Sequence, residues 1–150
     1  MDDLSRLMAE RDCLRLMTAY CTHLDAWEVD RFLDLFTAEG AWRRTAPLPQ
    51  INLEGREAIR GFFQRRPTHS YSRHLILNPV VDILDDASAR GVCVGLVVRG
   101  PAAPAFPVPM RGVELIVEYR HSFARTAAGW RIAEIQMDRL IDVEATPKEA

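Results

Sequence analysis

Six polar side chains occupy positions otherwise given over to apolar ones: Tyr20 and Asp25 late in a first helical pattern, His74 and Asn78 in a long aliphatic stretch, Tyr119 and His121 in an alternating one. Their types define a narrow chemistry. An imidazole takes a proton near neutral pH, a carboxylate on its other nitrogen holds the tautomer and balances the charge that forms, and a phenol donates to a carbonyl or a departing hydroxide. Other chemistries lack their signatures. The sequence has no Gly-rich phosphate loop, no G-x-S-x-G, no H-E-x-x-H and no paired C-x-x-C. Asp25, His74 and His121 have no spacing that calls for a metal, and neither metal nor cofactor is expected.

The elements that must position these groups follow from periodicity. Leu4, Leu7, Leu14, Met17, Cys21 and Leu24 recur at spacings of three, four and seven, which predicts an amphipathic helix over residues 4–24. At about 100° per residue, Asp25 falls about 40° from Cys21 and about 20° from Leu14, so its carboxylate continues the apolar face. A short helix is expected over 29–36, ended by Gly40, then a strand over 41–46 with Trp42, a break at Pro47 and Pro49, and a third helix over 56–63 closed by Pro67. From residue 70 the pattern is β. A strand over 70–84 must bulge or lie at an edge near Asn78-Pro79, Asp85-Asp86 turns the chain, and a second strand spans 89–99. The proline-rich segment 101–109 is a loop. Strands over 111–126 and 130–143 follow, the former alternating Val113, Leu115, Val117, Tyr119, His121 and Phe123 on one face. Three helices followed by an antiparallel run predict an α+β fold, a single domain over 1–143 with a polar tail over 144–150. A strongly curled sheet would enclose a cavity with the helices.

Composition bounds the partners. The 150 residues carry 19 Lys+Arg against 21 Asp+Glu, a net charge of −2, which offers no basic stripe for nucleic acid. The longest apolar run, residues 91–98, is far short of the roughly 20 a membrane helix needs, and the acidic start Met1-Asp-Asp-Leu4 lacks the basic and apolar regions of a secretory signal. A cytoplasmic location is expected, with no membrane and no nucleic-acid partner. Cys13, Cys21 and Cys93, odd in number and widely spaced, suit reduced, buried thiols.

Five pieces in order carry a resemblance: Tyr20-Cys-Thr-His-Leu-Asp25, Leu35-Phe-Thr-Ala-Glu-Gly-Ala-Trp42, Glu54-Gly-Arg-Glu-Ala-Ile59, Ser72-Arg-His-Leu-Ile-Leu-Asn78, and Glu118-Tyr-Arg-His-Ser-Phe-Ala-Arg-Thr-Ala-Ala-Gly-Trp-Arg-Ile132. Over almost its whole length the chain resembles the SnoaL-like branch of the nuclear transport factor 2-like superfamily. The resemblance implies a cone-shaped α+β barrel, a curved mixed or antiparallel sheet wrapped around a long N-terminal helix and a deep pocket. That superfamily includes scytalone dehydratase, bile acid 7α-dehydratase, hexachlorocyclohexane dehydrochlorinase, ketosteroid isomerase, polyketide cyclases and the non-catalytic small subunits of ring-hydroxylating dioxygenases. In its dehydratase and dehydrochlorinase members an acid–histidine pair matches Asp25 and His74, and a tyrosine of the bile acid enzyme matches Tyr20. Departures narrow the transfer. Scytalone dehydratase has a second histidine where Leu96-Val-Val-Arg99 offers only Arg99, the bile acid enzyme's further aspartate has no counterpart there, and the ketosteroid isomerase set has no place on this chain.

The resemblance implies a cofactor-independent lyase, a dehydratase or related eliminating enzyme, with His74 as general base, Asp25 orienting it and Tyr20 as hydrogen-bonding acid. Trp42, Asn78, Tyr119, His121 and Arg99 are expected to line its pocket. Taken alone, each residue also has a plainer role: Asp25 as a turn cap, His74 as a satisfied core histidine, Tyr20 as core filling, Asn78 and His121 as structural groups. The alternatives are a non-catalytic ligand-binding or dioxygenase small-subunit-like protein, and a polyketide cyclase or isomerase. The expected partner is a small apolar molecule, with assembly as a homodimer or homotrimer.

Overall fold

A computed structural model describes residues 1–46, 49–65, 70–102, 106–110 and 112–142. The expected stop at Pro67, the break at Pro47 and the tail over 144–150 lie outside the described residues.

Helix α1 (Asp3–Asp25) begins where the Asp2 carboxylate accepts the Ser5 backbone N–H at 2.7 Å, satisfying one of the first-turn donors. Its buried face is Ala9, Cys13, Met17, Tyr20, Cys21 and Leu24. Leu4 and Leu7, expected on that face, are 70% and 62% exposed. The buried face begins at Ala9, so both leucines lie on the stretch of α1 that precedes its packed part.

Helix α2 (Val29–Asp34) stops two residues short of the expected end, and strand β1 (Phe36–Ala46) starts at Phe36. Residues 36–40 are strand because a parallel neighbour claims them. β1 pairs with β6 (Gly129–Asp142) at Phe36↔Ile132 and Ala41↔Glu134, with a bulge between. Gly40 sits in that bulge with its Cα so near Phe36 that a Cβ would fall 2.9 Å from the Phe36 Cβ. A short β2 (Ile51–Glu54) flanks β1, and α3 (Arg56–Gln64) buries Ile59 and Phe63.

Three long hairpin-linked strands complete the sheet with β6: β3 (Ser70–Ile83), β4 (Ser88–Pro101) and β5 (Val113–Thr126). The irregularity expected near Asn78-Pro79 is there, a register shift between Leu77 and Val80 with Asn78 at φ +50°, on a strand at the sheet's edge. The Asp85 carboxylate accepts the Ala87 and Ser88 N–H groups and closes the turn. From Leu115 onward β5 alternates as predicted, with Leu115, Val117, Tyr119, His121 and Phe123 buried, whereas Val113 at the start of the strand is exposed.

The strand order is β2-β1-β6-β5-β4-β3, and β1–β6 is its one parallel pair. The result is an α+β fold in which α1 lies in a curved mixed sheet that stays open between β2 and β3. The three cysteines are free and buried, and burial pushes the Cys13 and Cys93 thiols up to about 12, which keeps them protonated and unreactive. Among the described residues no helix is long and apolar enough to cross a membrane.

Candidate active site

Asp25 is the last residue of α1, and β3 packs along that helix, so the end of the helix delivers a carboxylate to the strand that carries His74. Asp25 Oδ1 lies 2.5 Å from His74 Nδ1, and Oδ2 accepts the His74 backbone N–H at 2.8 Å. The Ser72 hydroxyl donates to Oδ1 at 3.4 Å. The two side chains are nearly enclosed, 8% exposed for Asp25 and 6% for His74. A carboxylate only accepts, so its contact with Nδ1 needs the proton on that nitrogen. The lone pair of the neutral ring is then on Nε2.

His74 borders a cavity of about 220 Å³ on the inner face of the sheet. Tyr20 of α1 and Trp42 of β1 meet in its wall, the Trp42 indole N–H donating to the Tyr20 hydroxyl oxygen at 2.9 Å. Phe62 of α3 stacks on Trp42 with centroids 5.6 Å apart. Tyr119 of β5 leans over β4 at Gly95, where a Cβ would come within 2.4 Å of its ring, so only glycine leaves room for the tyrosine. At the other end the lining turns polar. Arg44, Arg99 and Arg139 each follow an inward-facing residue by two positions, after Trp42, Val97 and Met137, and Glu114 stands among them, paired to Arg99 at 3.0 Å. A second concavity, open to solvent, has Asp25, Thr22 and Pro79 in its wall and shares His74 with the first.

Among the residues expected here, Tyr20, Trp42, His74, Arg99 and Tyr119 line the cavity, with Asp25 directly behind His74. Asn78 and His121 do not. The bulge turns Asn78 to the exposed side of the edge strand. His121 faces inward two residues beyond Tyr119, where Met17 and Tyr20 of α1 have already filled the space. It is 2% exposed and surrounded by rings, stacked 5.6 Å from Phe123, and neither ring nitrogen finds a hydrogen-bond partner among the described residues. Burial lowers it to about 3, so it is neutral. Arg44 and Arg139 were not anticipated, although the period-two pattern from Trp42 and Met137 already places them on the cavity face. Among the described residues no three His, Cys, Asp or Glu side chains converge as metal ligands.

The profile of the SnoaL-like domain family matches residues 5–136. Among solved structures, an NTF2-like protein with a cystatin-like fold from Novosphingobium aromaticivorans is 20% identical, with a TM-score of 0.73 over 96% of this chain and 94% of that one. A candidate scytalone dehydratase from the same species is 19% identical, with a TM-score of 0.77 over 97% and 93%. ActVI-ORFA from Streptomyces coelicolor is 16% identical, with a TM-score of 0.71 over 87% and 96%. At such identities the likeness shows the fold alone. Among curated proteins no match is found.

Proposed function

The chain belongs to the SnoaL-like domain family, and on that premise we propose that it is a cofactor-independent lyase that eliminates water, or a comparable leaving group, from a small, largely apolar cyclic molecule. The observation that carries this reading is the 2.5 Å contact of His74 Nδ1 with Asp25 at the wall of the cavity. In the proposed reaction His74 Nε2 takes a proton from a carbon next to an electron-withdrawing group. The C–H electron pair becomes the new C=C bond as the C–O bond on the neighbouring carbon breaks. Asp25 balances the imidazolium through Nδ1–H, in a place where burial alone would oppose the charge. Tyr20 supplies a proton to the departing oxygen, which leaves as water. The Trp42 N–H supports that role, since a donor on the phenol oxygen steadies the negative charge that proton donation leaves there.

Proton abstraction can be read without the natural substrate. A panel of cyclic β-hydroxy ketones in deuterated water is expected to take up deuterium next to the carbonyl with wild type, and on the order of 10²- to 10⁴-fold more slowly with His74→Ala. Exchange or elimination that survives intact in a folded His74→Ala protein overturns His74 as the base, and absence of both with wild type favours a binding protein.

A further inference from the structure

We infer that the substrate of this cavity is an acid, an apolar body carrying a carboxylate or an equivalent anionic oxygen group, held at the polar end by Arg44 and Arg99. The inference rests on the cavity being the substrate site of the lyase proposed above and names the class of molecule that fits it.

The wall is divided. Around Tyr20 it is aromatic and aliphatic, with Trp42, Phe62, Phe63 and Val97, and this part suits a ring or a branched hydrocarbon. The same cavity is lined by Arg44 on β1 and Arg99 on β4, two strands that are not neighbours in the sheet. Arg44 places one terminal nitrogen on the Pro49 carbonyl at 3.1 Å, and Arg99 places one on Glu114. Their Nε–H groups are different. Both are shut off from solvent, and neither meets an acceptor among the described residues. An N–H shielded from water without an acceptor is a standing energetic debit, and a charged acceptor satisfies it better than a neutral one. Glu114 is the carboxylate of this wall, and Arg99 already engages it. An oxyanion that enters the cavity and turns these guanidinium groups toward it offers what the wall lacks. Guanidinium forks suit it geometrically, because Nε and a terminal nitrogen bind the two oxygens of a carboxylate side by side.

The test compares an acid with its uncharged twin. Calorimetric titration with 2-naphthoate and 2-naphthamide at pH 7.5 is expected to show the acid binding wild type at least about tenfold more tightly. In Arg44→Gln/Arg99→Gln that ratio falls to near one. Arg44→Lys and Arg99→Lys keep the charge and lack the Nε–H, so each reduces the ratio without abolishing it, and they serve if the double variant does not fold. Equal affinity for acid and amide, binding of neither at millimolar concentration, or a ratio unmoved by the arginine substitutions overturns the inference. The same titration on His74→Asn separates this inference from the lyase reading. An acid preference kept there, in a protein whose wild type catalyses no deuterium exchange, leaves the anion site standing and removes the lyase. Exchange by wild type without acid preference does the reverse.

Discussion

At the seam of α1 and β3, His74 meets Asp25 through Nδ1 at 2.5 Å and through its backbone N–H at 2.8 Å. Two strands away on β5, His121 is buried more completely than His74, and it meets the rings of Tyr20, Tyr119 and Phe123. The same side chain has been given opposite prospects. Burial penalises a charged imidazole at both places, but only at His74 does the fold supply a countercharge for the protonated ring. A helix end makes the difference. Asp25 reaches His74 because α1 finishes beside β3, whereas His121 lies opposite the middle of that helix, where its residues are Met17 and Tyr20. Enclosure prepares a base for chemistry only where something nearby can carry the charge it acquires.

Breaking the prepared pair has the largest expected effect. Asp25→Ala leaves the His74 backbone N–H and Nδ1–H without their acceptor and is expected to lower stability by about 1–3 kcal/mol for each stranded donor in urea unfolding, whereas Asp25→Asn keeps an acceptor oxygen and loses less. Next in size is Tyr20→Phe, which strands the Trp42 N–H at a loss of about 1–3 kcal/mol by the same measurement. The unprepared histidine is read out by acid. Unfolded, it titrates near the ordinary 6.5; folded, at about 3. The unfolded chain therefore binds this proton first as pH falls. Its contribution is complete above about 6.5 and is lost downward through the window to about 3, at up to about 1.4 kcal/mol per pH unit. Unfolding of wild type and His121→Leu from pH 7 to pH 4 is expected to differ by that slope, and parallel curves contradict a neutral His121. The smallest effect is His121→Leu at pH 7, within about 1 kcal/mol of wild type, because no hydrogen bond is lost and an unpartnered polar ring is removed.

Much of this contrast was legible in the residues. The alternation of β5 put His121 inside, and the 100° step of α1 put Asp25 on the inner face, because both are local periodicities. Which histidine meets the carboxylate is not local. The match of Asp25 and His74 came from the resemblance, since no spacing of 49 residues encodes a contact between a helix end and a strand. Residues 36–40 carry no clear alternation, and their strand character is imposed by a partner nearly a hundred residues away. The face of α1 was misjudged at Leu4 and Leu7 because apolar spacing reports which side of a helix faces inward, not how far the sheet extends along it. Asn78 was assigned to the pocket by its type, and the bulge predicted at the same dipeptide is what turns it out.

The parallel pairing of β1 with β6 also has a consequence for the order of events at the ribosome. β1 carries Trp42 and Arg44, and until residues 129–142 emerge its sheet neighbour is the four-residue β2 alone. An isolated two-stranded ribbon is barely stable in water. The cavity wall is therefore completed only once β6 has joined β1, and a nascent chain acquires its binding site only after residues 129–142 have emerged.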